Sequence, residues 1–211
     1  MSLIDQLRKR WLELGLKYCE DNALLDRRWN SLKDAYSDSK RYYHNLQHLS
    51  FMFNEFDQQK EFVNDPIAFQ YAIYYHDIIY NVRRKDNEQK SAALAKKQLT
   101  EINVPVKSIE KCYDLIVATH LHELSEDVDT NLLIDIDMAI LGQPWEVYKT
   151  YAKNVRKEYG IYPTIMYKKG RRQALQHFLS MERIFKTDVY FNRYEKQARL
   201  NISKELAEMD Y

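Results

Sequence analysis

The chain has 211 residues, of which 45% are hydrophobic and 30% charged, with 32 basic side chains against 31 acidic ones. That length suits one domain with a sizeable core, and a net charge of +1 leaves no broad field for gathering nucleic acid or acidic membrane. No apolar run approaches the roughly 18 residues of a membrane span, and the opening MSLIDQLRKRW lacks a signal-peptide core, so the expectation is a cytoplasmic protein with no membrane partner.

Only 4 glycines and 4 prolines occur, and no β-branched stretch alternates for long, which predicts an all-helical chain. In chain order, a short amphipathic helix spans about 3 to 14 and ends near Gly15. A second covers 22 to 37, with Leu25, Trp29, Leu32 and Tyr36 on one stripe. A third covers 40 to 59 and holds YYHNLQHLSFMF. Asp65-Pro66 caps and opens a fourth, which runs to about Tyr80. The polar loop NVRRKDN leads to a fifth helix from near Asn87 to Leu99, and INVPV to a sixth over 106 to 121. Beyond the acidic connector ELSEDVD come helices at 131–141, 144–158, 164–184 and 187–209. Gly142 and Gly160 punctuate these, and Gly170 lies inside a helix or breaks it. Without a repeat or a long linker, residues 1–211 read as a single domain, with 145–211 as a helical extension packed on its core. The 17 tyrosines favour an interior or cleft of rings with polar tips. Cys19 and Cys112 fit no metal-binding or redox spacing, as suits buried thiols in a reducing compartment.

Three stretches carry chemistry. His44 and His48 are four apart, which on one helix brings both to the same face, with Cβ atoms roughly 5–6 Å apart. In YYHDIIY, His76 and Asp77 are adjacent and diverge by about 100° on a helix; both reach one ion only if it sits in the angle between them or the helix end is distorted. In LLIDIDMAILG, Asp135 and Asp137 sit in an apolar run where an uncompensated carboxylate is costly to bury. Each also has an ordinary reading, a hydrogen-bonded core histidine or a helix-capping aspartate. The basic clusters KKGRR and RRK read alone as solvated helix faces.

Taken together and in order, RYYHNLQHL, YHDIIY, NEQKSA, LIVATHLH, DIDMAILG, GRRQALQHFL and EKQARLN resemble the HD superfamily of metal-dependent phosphohydrolases over nearly the whole chain. The similarity is to its bacterial branch of predicted HD phosphohydrolases. The resemblance implies an all-α HD-domain helical bundle with metal ligands at His48, His76, Asp77 and Asp137, Asp135 being a rival to the last. YHNLQH is also similar to the matching stretch of class I cyclic nucleotide phosphodiesterases, which implies that His44 gives a proton to the leaving oxygen. Such a mixed nitrogen and oxygen shell suits Mn, Fe, Co, Ni, Zn or Mg, as one ion or two with Asp77 bridging.

The resemblance further implies that Glu88 positions water. His120 or His122, the latter the better match, would serve a second ion or the departing group, and His177 would be structural. For substrate phosphate the candidates are Arg41, then Arg171, Lys168 and Lys169, with Arg83 and Arg84 in a loop suited to a clamp. The expected partner is a small phosphomonoester or nucleotide, including pyrophosphate-containing ones. Two other classes carry the same fold: a di-iron oxygenase, richer in histidine, and a non-catalytic module that binds a nucleotide or partner. The presence of His48, His76, Asp77 and Asp137 together argues against a decayed site. Nucleic acid is disfavoured by short basic clusters and the lack of zinc-knuckle spacing.

Overall fold

A computed structural model describes residues 1–209. Among them the chain forms ten α-helices and two 3-10 turns, with no strand, so the fold is all-α. The chain divides into two compact units, Met1–Leu133 and Ile134–Tyr211. The division falls inside a helix, ahead of residue 145, where the sequence reading begins its extension.

The first unit opens with α1 (Leu3–Gly15), started by a capping box in which Ser2 and Asp5 satisfy each other's backbone amides. Leu7, Trp11 and Leu14 bury its apolar stripe. Next come α2 (Asn22–Tyr36), α3 (Leu46–Gln59) with a 3-10 turn at Lys60–Phe62, and α4 (Pro66–Tyr75). Asp65 accepts from the amides of Ile67 and Ala68, and Pro66 takes the first turn, where its missing N–H costs nothing. From Ala68 to Tyr75 only Gln70 of α4 is not buried. It is thus the central helix of this unit, packed against α3, α5 (Asn87–Glu101) and α6 (Val106–Ala118). Two of its three tyrosines keep their hydroxyls satisfied in that interior: Tyr74 donates to the Leu7 carbonyl at 2.7 Å and Tyr75 to Gln98 Oε1 at 2.9 Å. Trp11 meets Tyr71 and Tyr74 edge-on, with centroids 5.7 and 5.4 Å away.

α7 (Val128–Met138) crosses from one unit to the other. In the second unit a 3-10 turn at Ala139–Gly142 leads to α8 (Trp145–Glu158), α9 (Thr164–Ser180) and α10 (Asp188–Glu208). The turn packs on α10 so closely that a Cβ on Gly142 would lie 2.4 Å from Tyr194 Cβ. Asn201 of α10 donates to the Leu141 and Gln143 carbonyls at 2.8 and 2.7 Å. Gly170 lies within α9 and faces open space. No helix among the described residues is long and apolar enough to cross a membrane.

Two helices differ from the expected bounds where it matters. α3 begins at Leu46 rather than 40, because Asn45 is extended and its side chain caps the Gln47 amide. His44 therefore precedes the helix, and the expected shared face with His48 does not exist. α4 stops at Tyr75 rather than Tyr80: His76 is its C-cap, and the carbonyls of Asp77 and Ile78 accept from Arg41 at 2.7 and 2.9 Å. The helix end is thus reshaped at the His76-Asp77 pair.

Candidate metal centre

His48 sits in the first turn of α3 and His76 at the end of α4, with 3% and 1% of their surfaces exposed. His76 Nδ1 lies 3.0 Å from the Ile73 carbonyl oxygen. A carbonyl only accepts, so Nδ1 carries the proton and Nε2 presents its lone pair. Opposite that lone pair stand His48 Nε2 at 3.2 Å and Asp77 Oδ2, also at 3.2 Å. Bringing an imidazole lone pair against a carboxylate oxygen is repulsive unless a cation or a proton is shared between them. Two donors about 2.1 Å from one ion are about 3.0 Å apart at a right angle and about 3.4 Å apart at the tetrahedral angle. Both 3.2 Å separations fall in that interval. Each of these two pairs is therefore spaced as two donors to one divalent ion are.

The other candidate residues of the first unit are held in different ways. His44, half-buried, stacks on Tyr80 with centroids 4.3 Å apart, and its Nε2 is 3.9 Å from Asp77 Oδ2. Its ring also comes within 5.9 Å of the His48 ring, so the two histidines meet through the loop before α3. Glu88, in the first turn of α5, pairs with His120, Oε2 to Nδ1 3.0 Å. The sequence reading favours His122 over His120; the structure joins His120 to Glu88 and puts His122 in the left-handed region at φ 53°. Arg41 turns both terminal nitrogens to backbone carbonyls. In the loop, Arg84 forms a two-pronged pair with Asp86 and Arg83 is exposed.

In the second unit the two aspartates of DIDMAILG separate cleanly. Asp135 is fully buried and accepts from the amides of Lys186 and Thr187 and from the Thr187 hydroxyl, at 2.6 to 2.7 Å. Burial pushes its carboxyl up to about 6 against the pull of these donors. Asp135 thus holds the chain entering α10, while Asp137 is half-buried near the end of α7. The basic cluster expected at phosphate is used inside this unit. Arg171 makes a two-pronged pair with Glu205, Nε to Oε1 2.8 Å and Nη2 to Oε2 3.0 Å, and Lys168 donates to the Met209 carbonyl at 2.9 Å. Lys169 and His177 are exposed on α9. Sequence reasoning missed Tyr36 and Tyr80, which hold the Asp77 amide and the His44 ring; both read there only as members of apolar stretches.

No protein-family model, curated protein or solved structure matches the chain, so the site's chemistry is argued from its own geometry.

Proposed function

We propose that the chain is a cytoplasmic metal-dependent phosphohydrolase acting on a small phosphomonoester or nucleotide, with His48, His76, Asp77 and, by the family resemblance, Asp137 as ligands of a divalent ion. One observation carries the reading: two buried imidazoles from different helices aim Nε2 at each other across 3.2 Å, with the Asp77 carboxylate beside them. An ordinary core histidine pair needs only one shared N–H···N bond; it does not need a carboxylate oxygen brought against the same nitrogen. Asp137 enters as the fourth ligand through the family resemblance and because Asp135 is occupied at α10. The two free, buried thiols of Cys19 and Cys112 fit a reducing compartment.

A bound divalent ion supplies an acidified water and takes up charge on phosphoryl oxygens. The chain's own groups do the rest. His76 is held in the ligating tautomer by the Ile73 carbonyl. His44, kept in plane by Tyr80 and near the Asp77 carboxylate, can hold a proton at Nε2 and pass it to the leaving oxygen. Glu88 fixes His120 through Nδ1 and leaves the other ring nitrogen to meet a water or a substrate oxygen.

The decisive experiment measures bound metal and hydrolysis on the same purified protein, against phosphomonoesters, cyclic nucleotides and pyrophosphate-containing nucleotides. We expect activity that chelation removes and a divalent ion restores. Asp77→Ala is expected to lose tight metal binding and at least about 100-fold in rate. A D77A protein that stays active and metal-loaded would overturn the assignment.

A further inference from the structure

We propose that Arg41 is a positioning residue, the side chain that locks the turn carrying Asp77 to the loop carrying His44, and not a phosphate-binding residue; the inference rests on the metallohydrolase reading above. Because α4 ends at Tyr75, the carbonyls of the residues after it need donors from elsewhere. Arg41 supplies them, with Nη1 to Asp77 O at 2.7 Å and Nη2 to Ile78 O at 2.9 Å. The same Nη1 reaches the His44 carbonyl at 3.4 Å. One guanidinium thus touches the backbone of the ligating carboxylate and that of the proton donor.

Its faces are used as well. The guanidinium carbon lies 5.0 Å from the centre of the Tyr36 ring and 5.4 Å from that of Tyr80. Those are the two rings that hold the site: Tyr36 Oη accepts from the Asp77 amide at 3.2 Å, and Tyr80 stacks on His44. Arg41 is itself anchored, its amide donating to the Asp38 carbonyl at 2.9 Å. A planar fork between two rings is a task for arginine; lysine, a single ammonium on a flexible stem, keeps the charge but not the geometry. A phosphate-binding arginine needs its paired N–H groups directed at ligand. Here both terminal nitrogens serve backbone carbonyls.

The test compares wild type with Arg41→Lys in a titration with Co²⁺ followed by its visible absorption, alongside kcat and KM for a phosphomonoester that the wild type hydrolyses. Removing a partner behind a metal ligand typically weakens metal binding by roughly 10- to 100-fold. We expect R41K to weaken Co²⁺ by that factor, to alter the cobalt spectrum and to lower kcat, with KM within about twofold of wild type. Unchanged cobalt affinity with a raised KM would overturn the proposal in favour of a phosphate contact. Wild type that fails to bind Co²⁺ would instead remove the metal reading itself. Should R41K fail to fold, Tyr36→Phe decides: it deletes the acceptor of the Asp77 amide, and cobalt affinity equal to wild type would sink the positioning role.

Discussion

An imidazole whose Nδ1 donates to a carbonyl has only its Nε2 lone pair left to offer, and His76 is held in that state by Ile73. His44 is placed differently. It stacks on Tyr80, stays half-buried, and lies farther from Asp77 than His76 does, 3.9 Å against 3.2 Å. We therefore expect His44→Ala to keep its metal while kcat falls by about 10²- to 10⁴-fold, most for substrates with poor leaving groups. Metal analysis and a leaving-group series check this; an H44A protein that loses its ion as completely as H48A would reverse the two roles. The identity of these residues was readable as HNLQH and HD, but the backbone that carries them was not. Four-residue spacing suggested a common helix face, and Asn45 breaks that helix before His44. Likewise Asp135 and Asp137 look alike in DIDMAILG, and only the amides of Lys186 and Thr187, some fifty residues on, separate them.

Helix ends add side-chain caps to the stability that buried faces supply. Asp127 caps α7, accepting from the Thr130 amide at 2.8 Å and hydroxyl at 2.6 Å, and pairs with Lys111. Partial burial pushes its carboxyl up, but the Lys111 ammonium and the Thr130 donors outweigh this and leave it below the usual 3.8. The folded state therefore holds the Asp127 proton less tightly than the unfolded chain. The stabilisation is full above 3.8 and is lost as pH falls through the lower, folded value. At neutral pH Asp127→Asn is expected to cost about 1 kcal/mol, allowing for solvent screening of a half-buried pair. Urea midpoints at descending pH should show the gap between wild type and D127N closing below 3.8; a gap that persists there would mean the cap does not depend on charge. The same logic of ends explains the bounds the sequence misplaced. Residues 40–45 and 76–80 have helix-compatible residues, yet Asn45, Arg41 and Tyr36 offer their backbone other partners.

At the scale of the molecule, the second unit keeps an ion pair where the sequence reading placed a phosphate contact. Arg171 and Glu205 have side chains 8% and 11% exposed, and Tyr148 donates its hydroxyl to the same carboxylate. Removing one partner strands the other, so Arg171→Met should destabilise the protein by about 3–5 kcal/mol, read from chemical denaturation. A loss below about 1 kcal/mol, or a specific rise in KM without loss of stability, would return Arg171 to the substrate. What the sequence by itself determined is the helical class and the rank of its helices. Apolar residues recurring every three or four positions report a local 3.6-residue period, and the stripe Leu25, Trp29, Leu32, Tyr36 is buried as that period requires. It also marked the residue types able to hold an ion. The tertiary structure alone decided that α4 ends at its histidine, that Asp135 serves α10, that His120 meets Glu88, and that Arg41 faces backbone carbonyls. These depend on hydrogen-bond partners as far as 32 to 52 positions apart, which no local period encodes because folding, not spacing, brings the donors and acceptors together.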